Sequence, residues 1–63
     1  MRDSKRLNTF YNNLKMYHSS VPDWRFGQLI VNFQRWYGKD IFYLEEDEFI
    51  NLLYKFMKEM QVF

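Results

Sequence analysis

One stretch decides how this chain folds: Pro22-Asp23-Trp24-Arg25-Phe26-Gly27-Gln28-Leu29-Ile30. A proline disfavours helical dihedrals at the residue before it, so Pro22 ends any helix that precedes it. Asp23 is then a favoured helix cap, because its carboxylate can accept hydrogen bonds from the free amides of a first turn. The stretch therefore predicts a break between two helices, with the second helix beginning at Trp24.

Capping and breaking residues divide the rest of the 63-residue chain in the same way. Helices are predicted over residues 4–18, 24–37 and 45–60, with Asp3 or Ser4 capping the first and Gly38 giving the second a left-handed stop. The third helix begins in an acidic turn, residues 45–48, which the positive end of the helix dipole favours. Three helices with short loops predict an all-α, three-helix single domain over residues 1–63.

Apolar side chains recur at helical spacing in each segment and predict the core. The inward stripes are Leu7, Phe10, Tyr11, Leu14 and His18 in the first helix, Phe26, Leu29, Ile30, Phe33 and Tyr37 in the second, and Phe49, Leu52, Leu53, Phe56 and Met60 in the third. Gly27 lies inside the second helix, where glycine costs about 1 kcal/mol relative to alanine, and we expect it to admit a neighbouring helix or ring. Residues 41–44 have strand propensity but no second strand to pair with, so a packed loop or tight helical turn is expected there.

Composition limits the function classes open to the chain. It has no cysteine, which excludes disulfides and thiolate metal sites, and its single histidine, His18, leaves no zinc ligand set. A net charge of +1 provides no basic field for nucleic acid or a membrane surface. No apolar run is long enough to span a bilayer, and no apolar core follows the basic residues 1–6, so a cytoplasmic location is expected. Aromatic residues make up 22% of the chain, and their rings can build a core from few residues or serve an interface.

Two groups are candidates for chemistry. The acidic run at residues 45–48 lacks the spacing of a calcium loop and is interpreted as a solvated helix start. His18 has no nucleophile or acid placed by spacing to act with it, and is interpreted as a packing or helix-end residue. The sequence therefore predicts a non-enzymatic protein without a cofactor or a bound metal.

The second helix has an unusual outer face. At about 100° per residue, four side chains fall together opposite its core stripe: Trp24, Gln28, Val31 and Arg35. A surface helix should be polar there, whereas tryptophan and arginine are enriched in binding hot spots. We interpret these four residues as a partner-binding stripe. The alternative is that the chain's own termini bury this face.

The third helix has a wide apolar arc, because Ile50, Tyr54 and Met57 extend its core stripe to roughly half the circumference. One explanation makes it the central helix of the bundle. Another makes Ile50 and Tyr54 the seam of a homodimer.

Nucleic-acid binding is the alternative function. A recognition helix presents its first turn to the major groove, and the acidic turn of the third helix would repel phosphates there. The helix beginning at Trp24 could serve in a helix-turn-helix-like arrangement, using Trp24, Arg25, Gln28 and Arg35. Asp23 and the low net charge weaken this hypothesis.

Three segments also form a recognisable pattern: Asp3-Ser4-x-Arg6-Leu7, residues 22–30 with Asn32-Phe33, and Ile41-Phe42-Tyr43 before the acidic turn. This pattern resembles a group of short bacterial and phage proteins that have no established activity. The resemblance covers about residues 3–56 and transfers no functional residue. It implies a context: a small cytoplasmic protein, phage- or prophage-encoded, of a kind that often acts by binding host proteins.

Overall fold

A computed structural model describes residues 4–62. It contains three helices, α1 (Lys5–Ser19), α2 (Phe26–Tyr37) and α3 (Glu46–Glu59), and no strand within that range. The all-α, three-helix fold predicted from the sequence is confirmed. Helix α3 packs against both α1 and α2, so it is the central helix of the bundle.

The start of α2 differs from the prediction. The helix begins two residues later than Trp24, with Arg25 rather than Asp23 at the cap position. The backbone N–H of Arg25 donates to Oε1 of Gln28 at 2.7 Å, which closes the first turn. Trp24 instead belongs to the preceding turn, where its N–H donates to the carbonyl of Val21 at 3.0 Å.

The other helix ends follow the expected chemistry only in part. Gly38 ends α2 with φ of 76°, and its N–H donates to the carbonyl of Gln34 at 2.9 Å. This confirms the left-handed stop, which glycine adopts without steric cost. Ser4 makes no side-chain cap bond to α1, and Asp3 lies outside the described residues.

The core lies along α3 and is rich in aromatic contacts. Among residues 4–62, the buried side chains are Tyr17, Leu29, Phe33, Leu53, Phe56 and Met57. Phe33 is fully buried, and four rings surround it: its centroid lies 4.8 Å from that of Phe49, 5.9 Å from Phe56, 6.0 Å from Trp36 and 6.2 Å from Tyr37. Four of these six core residues were predicted, whereas Tyr17 and Met57 were not in the predicted stripes.

Two predicted core positions are wrong. Tyr11 is 59% exposed and Phe26 is 54% exposed. The buried side of α1 follows Phe10, Leu14 and Tyr17, and the ring of Phe10 lies 5.7 Å from that of Phe49 on α3. Tyr11 is turned away from this line. Phe26 is the first residue of the late-starting α2 and lies at the edge of the bundle, 6.3 Å from the ring of His18.

Burial has an electrostatic consequence at Tyr17. Desolvation raises the pKa of its hydroxyl above the usual 10.0, and the nearby Tyr54 hydroxyl raises it further. The neutral phenol is therefore the form that the fold stabilises. Because the pKa is higher in the folded chain, this contribution is complete below pH 10 and is lost as the pH rises through the folded value.

The link between α2 and α3 is a tight turn, which is one of the two structures expected for residues 41–44. The N–H of Leu44 donates to the carbonyl of Ile41 at 3.1 Å, and Ile41 packs against the core. The turn is not packed throughout, because Phe42 is 77% exposed and Tyr43 is 82% exposed. We refer to Phe42 and Tyr43 as the aromatic turn.

Two polar contacts tie α3 to its neighbours. Nε of Arg6 on α1 lies 2.7 Å from Oε1 of Glu46 in the first turn of α3. Trp36 on α2 donates its indole N–H to the carboxylate of Glu59 near the end of α3. Both contacts are at the surface, where such pairs contribute little individually, so apolar packing holds the bundle together.

Substitution of Phe33 tests this description of the core. We expect Phe33→Ala to cost about 3–5 kcal/mol, which is comparable to the whole stability of so small a domain. The milder Phe33→Leu should cost about 1 kcal/mol and remain folded. Phe42→Ala is the matched control, because that ring is exposed, and should stay within about 0.5 kcal/mol of the wild type. Urea denaturation followed by far-UV circular dichroism checks all three, and equal costs at positions 33 and 42 would contradict the core assignment.

Candidate functional site

The structure brings the four predicted partner-binding residues together. Trp24, Gln28, Val31 and Arg35 line one cavity of about 630 Å³, joined there by Asp23, Gly27 and Asn32. Val31 is 47% exposed at its centre. All of the lining comes from the amino-terminal approach to α2 and from one face of that helix.

A second cavity extends this one toward the carboxyl end of α2. It has a volume of about 520 Å³, shares Val31 and Arg35 with the first, and adds Gln34, Gly38, Lys39 and Asp40. We call the joined cavities the α2 groove; its lining consists of Asp23, Trp24, Gly27, Gln28, Val31, Asn32, Gln34, Arg35, Gly38, Lys39 and Asp40. From Gly27 to Gly38 it follows the helix for roughly 16 Å, at 1.5 Å per residue.

The predicted stripe covers only part of this groove. The pattern of positions 27, 31, 34 and 38 continues the spacing of the predicted stripe, so it could have indicated Gln34 and Gly38. Lys39 and Asp40 lie beyond the helix end, where periodicity carries no information. Only the fold places them beside Arg35.

Trp24 has a mixed environment. Its side chain is half-buried and packs against the core cluster, while it also lines the α2 groove. Its carbonyl lies 2.7 Å from Nε2 of His18, a contact in which the imidazole N–H donates. His18 therefore fixes the turn that carries Trp24, in line with the interpretation of this histidine as a packing residue.

Gly27 does not have the role expected of it inside the chain. A Cβ built on Gly27 meets no heavy atom within 4 Å. The expectation that a neighbouring helix or ring approaches it is therefore wrong for residues 4–62. Its backbone is not in the left-handed region either, since Gly38 is the glycine with positive φ. Neither packing nor backbone geometry within the described fold requires glycine here.

The charges of the groove are balanced along its length. Asp23 lies at the amino end, Arg35 near the middle, and Lys39 and Asp40 at the carboxyl end. Arg35 makes no ion pair with any carboxylate in the part of the chain that the structure describes. Nζ of Lys39 lies 5.9 Å from the ring centroid of Tyr37. The groove therefore offers a guanidinium beside an exposed valine, which suits a surface that is both apolar and acidic.

The homodimer seam predicted on α3 has contacts within its own chain. Ile50 is half-buried and packs against the core cluster. Tyr54 is 44% exposed, its ring lies 6.4 Å from that of Tyr17, and Nζ of Lys58 lies 5.7 Å from its centroid. The wide apolar arc of α3 is explained by its central position, since fully buried Met57 belongs to it.

A further cavity of about 590 Å³ lies between the starts of α1 and α3. Its lining includes Arg6, Phe10, Ile50 and three residues of the acidic run, Glu45, Glu46 and Asp47. Arg6 and Glu46 already pair with each other there. Within residues 4–62 no cluster of three or more histidine, cysteine or acidic side chains is arranged to hold a metal ion.

Comparison with protein-family models, with curated proteins and with solved structures finds no match to this chain. None of the helices described between residues 4 and 62 combines the length and the apolar character needed to cross a lipid bilayer.

The open environment of Gly27 leads to a stability prediction. Gly27→Ala should stabilise the chain by roughly 0.5–1 kcal/mol, because alanine fits the backbone and meets no steric obstacle. Gly38→Ala is the matched control and should destabilise by about 1 kcal/mol, since its φ of 76° is strained for alanine. Urea denaturation of both variants checks the pair. A destabilised Gly27→Ala variant would show that a contact within the chain requires this glycine.

The half-buried position of Trp24 sets a second expectation. Trp24→Ala should cost about 1–3 kcal/mol, less than the loss of Phe33 but more than an exposed side chain would cost. Val31→Ala, on the exposed part of the same groove, should stay within about 0.5 kcal/mol of the wild type. Circular dichroism during urea denaturation is the appropriate readout, because the substitution removes a fluorophore. A Trp24→Ala variant as stable as the wild type would mean that the packing of Trp24 contributes nothing to stability.

Proposed function

We propose that this chain is a small, non-enzymatic helical module that acts by binding another protein through the α2 groove. The observation that carries the proposal is the groove itself, in which Trp24, Val31 and Arg35 share one lining with the open Gly27. Protein interfaces combine a partly apolar centre with aromatic and arginine side chains and a polar rim. Gln28, Asn32 and Gln34 supply amides around Val31.

Gly27 gives independent support. An exposed helical glycine lowers stability relative to alanine, and nothing in the described fold offsets that cost. The space above it lies in the groove. A partner whose backbone or side chain approaches α2 closely at this point would provide the reason for glycine.

The charges favour protein over nucleic acid. A nucleic-acid footprint requires clustered basic side chains, and the α2 groove has two basic residues, Arg35 and Lys39, against two acidic ones, Asp23 and Asp40. A protein surface with an apolar side chain and a carboxylate would satisfy Val31 and Arg35 together. Binding of this kind depends only weakly on salt, whereas phosphate binding depends on it steeply.

The resemblance to short bacterial and phage proteins suggests where the partner would be found. We place the chain in the cytoplasm of a bacterium, where its cysteine-free composition suits a reducing environment. In that setting it would act as a phage- or prophage-type regulator that binds a host protein. The proposal assigns no catalytic step to the chain.

A charge introduced into the groove tests the proposal. Val31→Glu should lower the affinity for the partner at least about tenfold, because it removes the apolar side chain and introduces a carboxylate that pairs with Arg35 four residues along the helix, so that the guanidinium is no longer available to the partner. Met16→Glu is the matched control, since Met16 is 51% exposed on α1 and lies outside the α2 groove. Wild-type and variant chains are immobilised and exposed to bacterial extract, and each captured protein is then purified and titrated.

The proposal requires one bacterial protein that binds the wild type and Met16→Glu equally but binds Val31→Glu weakly. Equal binding to all three chains would place the interface elsewhere and contradict the proposal. Titration with duplex DNA over a range of salt concentrations completes the test. Tight, steeply salt-dependent DNA binding that Val31→Glu abolishes would favour the nucleic-acid alternative.

A further inference from the structure

The aromatic turn is the most exposed apolar feature that the structure describes, and it is ordered. Phe42 is 77% exposed and Tyr43 is 82% exposed, and their rings meet edge-to-face with centroids 4.9 Å apart. The N–H of Phe42 donates to Oδ1 of Asp40 at 2.9 Å, and Ile41 packs against the core. Rings held in a fixed turn lose less conformational entropy on binding than rings on a mobile loop, so they suit insertion into a recess of another molecule.

Acidic residues are concentrated on both sides of the aromatic turn. Residues 40–48, which we call the acidic-aromatic segment, contain no basic residue and five of the eight acidic residues of the chain: Asp40, Glu45, Glu46, Asp47 and Glu48. All nine basic residues and the other three acidic ones lie elsewhere. The segment therefore has a net charge of −5, whereas the rest of the chain has a net charge of +6.

Part of this charge is not neutralised by the described fold. Arg6 of α1 pairs with Glu46, which removes one carboxylate from the balance. Asp40, Asp47 and Glu48 are exposed and form no ion pair within residues 4–62. The positive end of the α3 dipole offsets only about half a charge. The rings of the aromatic turn therefore lie in a negatively charged part of the surface.

These carboxylates lie close enough to the rings to act on the same partner. Asp40 contacts the backbone of Phe42 directly, and the four residues from Tyr43 to Asp47 span at most about 14 Å. A standard interface covers about 800 Å² of each partner, which is a patch roughly 30 Å across. Charges within such a patch attract or repel a partner through their field, even where their side chains make no contact.

We propose that the aromatic turn is a second binding surface, at which Phe42 and Tyr43 enter an apolar recess in the surface of a basic protein. Burial of the two rings provides the apolar part of the contact. Lysine or arginine side chains around the recess meet the carboxylates of the acidic-aromatic segment. Neither ring lines the α2 groove, so this surface is distinct from that of the proposed function. The inference shares with the proposed function only the bacterial setting.

The same charges disfavour other classes of partner. Nucleic-acid bases stack on aromatic rings, but Asp47 and Glu48 would repel the phosphates that accompany those bases. An anionic lipid surface is repelled for the same reason. A second copy that docked through the same segment would bring two groups of five acidic residues together. A basic protein surface, by contrast, attracts the carboxylates and can cover the rings.

Photocrosslinking from the turn tests the chemistry of the partner directly. A chain with Tyr43→p-benzoylphenylalanine carries an aromatic side chain that forms a covalent bond, on irradiation, with a group it contacts. It is irradiated in bacterial extract, and the crosslinked peptides are sequenced by mass spectrometry. We expect a crosslink to one protein, at an apolar site surrounded by lysine or arginine residues. Tyr11→p-benzoylphenylalanine is the matched control, because Tyr11 is 59% exposed on α1, and should not label that protein.

The protein identified in this way is purified and titrated against variants of the turn. Phe42→Ser/Tyr43→Ser should lower its affinity at least about tenfold, and Tyr11→Ser should leave the affinity unchanged. All three rings are exposed, so the variants retain the fold, which circular dichroism verifies. An affinity that does not change in Phe42→Ser/Tyr43→Ser would overturn the inference.

Titration over a range of salt concentrations tests the part that charge plays. Asp47→Asn/Glu48→Gln should lower the affinity about threefold or more at low salt and make it less dependent on salt. Asn12→Lys/Met16→Lys is the matched control, because it changes the net charge by the same +2 at exposed positions on α1. It should change the affinity less than about twofold. Equal effects of the two double variants would mean that net charge, rather than the acidic-aromatic segment, attracts the partner, and would contradict the inference.

Other outcomes would also overturn the inference. One is that position 43 labels no protein that position 11 leaves unlabelled; another is a crosslinked site with an acidic surface, or on a second copy of the chain. Vesicles of phosphatidylcholine and phosphatidylglycerol, and single-stranded oligothymidine, serve as probes for the other classes of partner. The wild type should bind neither. Binding to either probe that Phe42→Ser/Tyr43→Ser abolishes would place lipid or nucleic acid at the turn instead.

Failure of this inference is distinguishable from failure of the proposed function. If Val31→Glu loses a bacterial partner while no binding depends on Phe42 and Tyr43, the α2 groove binds protein and the second surface is wrong. If the aromatic turn binds a basic protein and no partner depends on Val31, the second surface stands and the proposal for the α2 groove fails.

Discussion

The packing of rings around Phe33 is the interaction on which the rest of this structure depends. Phe33 brings α2 onto α3 through Phe49 and Phe56, while Trp36 and Tyr37 from its own helix stack beside it. Helix α1 joins the same cluster through Tyr17 and through Phe10, whose ring lies 5.7 Å from that of Phe49. Buried Leu29 and the hydrogen bond from Trp36 to Glu59 add to this cluster, and together these contacts set the orientation of α2 on α3. The groove on its outer face is therefore positioned by the core directly beneath it.

That arrangement explains why a face of α2 stays open. Residues 4–62 form three helices, and both α1 and α2 pack their inward faces against α3. No fourth element lies among the described residues to cover the side of α2 that carries Val31 and Arg35. A 63-residue domain buries a smaller share of its surface than a larger one does, so exposed apolar groups are expected somewhere. Here they include Val31 on the open face of α2 and the two rings of the aromatic turn, and also Tyr11, Met16 and Tyr54 on the other two helices.

The sequence predicts the helices better than it predicts which of their side chains are buried. Helix type, number and the left-handed stop at Gly38 follow from periodicity and backbone chemistry, which act locally. The sequence predicts a start of α2 that is two residues too early, because Asp23 has the stronger capping propensity. In the structure the side chain of Gln28 accepts a hydrogen bond from the backbone N–H of Arg25, and the first turn closes there. The burial of Tyr17 was missed because it depends on how α1 is rotated toward α3, whereas Met57 belongs to the apolar arc predicted on the third helix. The four residues predicted to share one face do line one cavity, Gln28, Val31 and Arg35 through the helical repeat and Trp24 from the turn before α2, whereas Lys39 and Asp40 are placed there by the chain reversal after Gly38.

The aromatic residues of this chain divide into two populations. Phe33, Phe56 and Tyr17 are buried and hold the fold, while Tyr11, Phe26, Phe42 and Tyr43 are largely exposed. Compensation for a small core explains the buried aromatic residues but does not explain the exposed ones.

Hydrogen bonds and the core contact of Ile41 hold Phe42 and Tyr43 in a defined turn, although their rings contact little else. Rings as exposed as these contribute little to the stability of the monomer, so the core does not account for them. The same reasoning applies to Gly27, where the described fold gains nothing from the absence of a side chain. Gly27 lines the α2 groove, and Asp40, which accepts the hydrogen bond from the Phe42 backbone, lines its other end, so a protein bound there as proposed would lie close to both features.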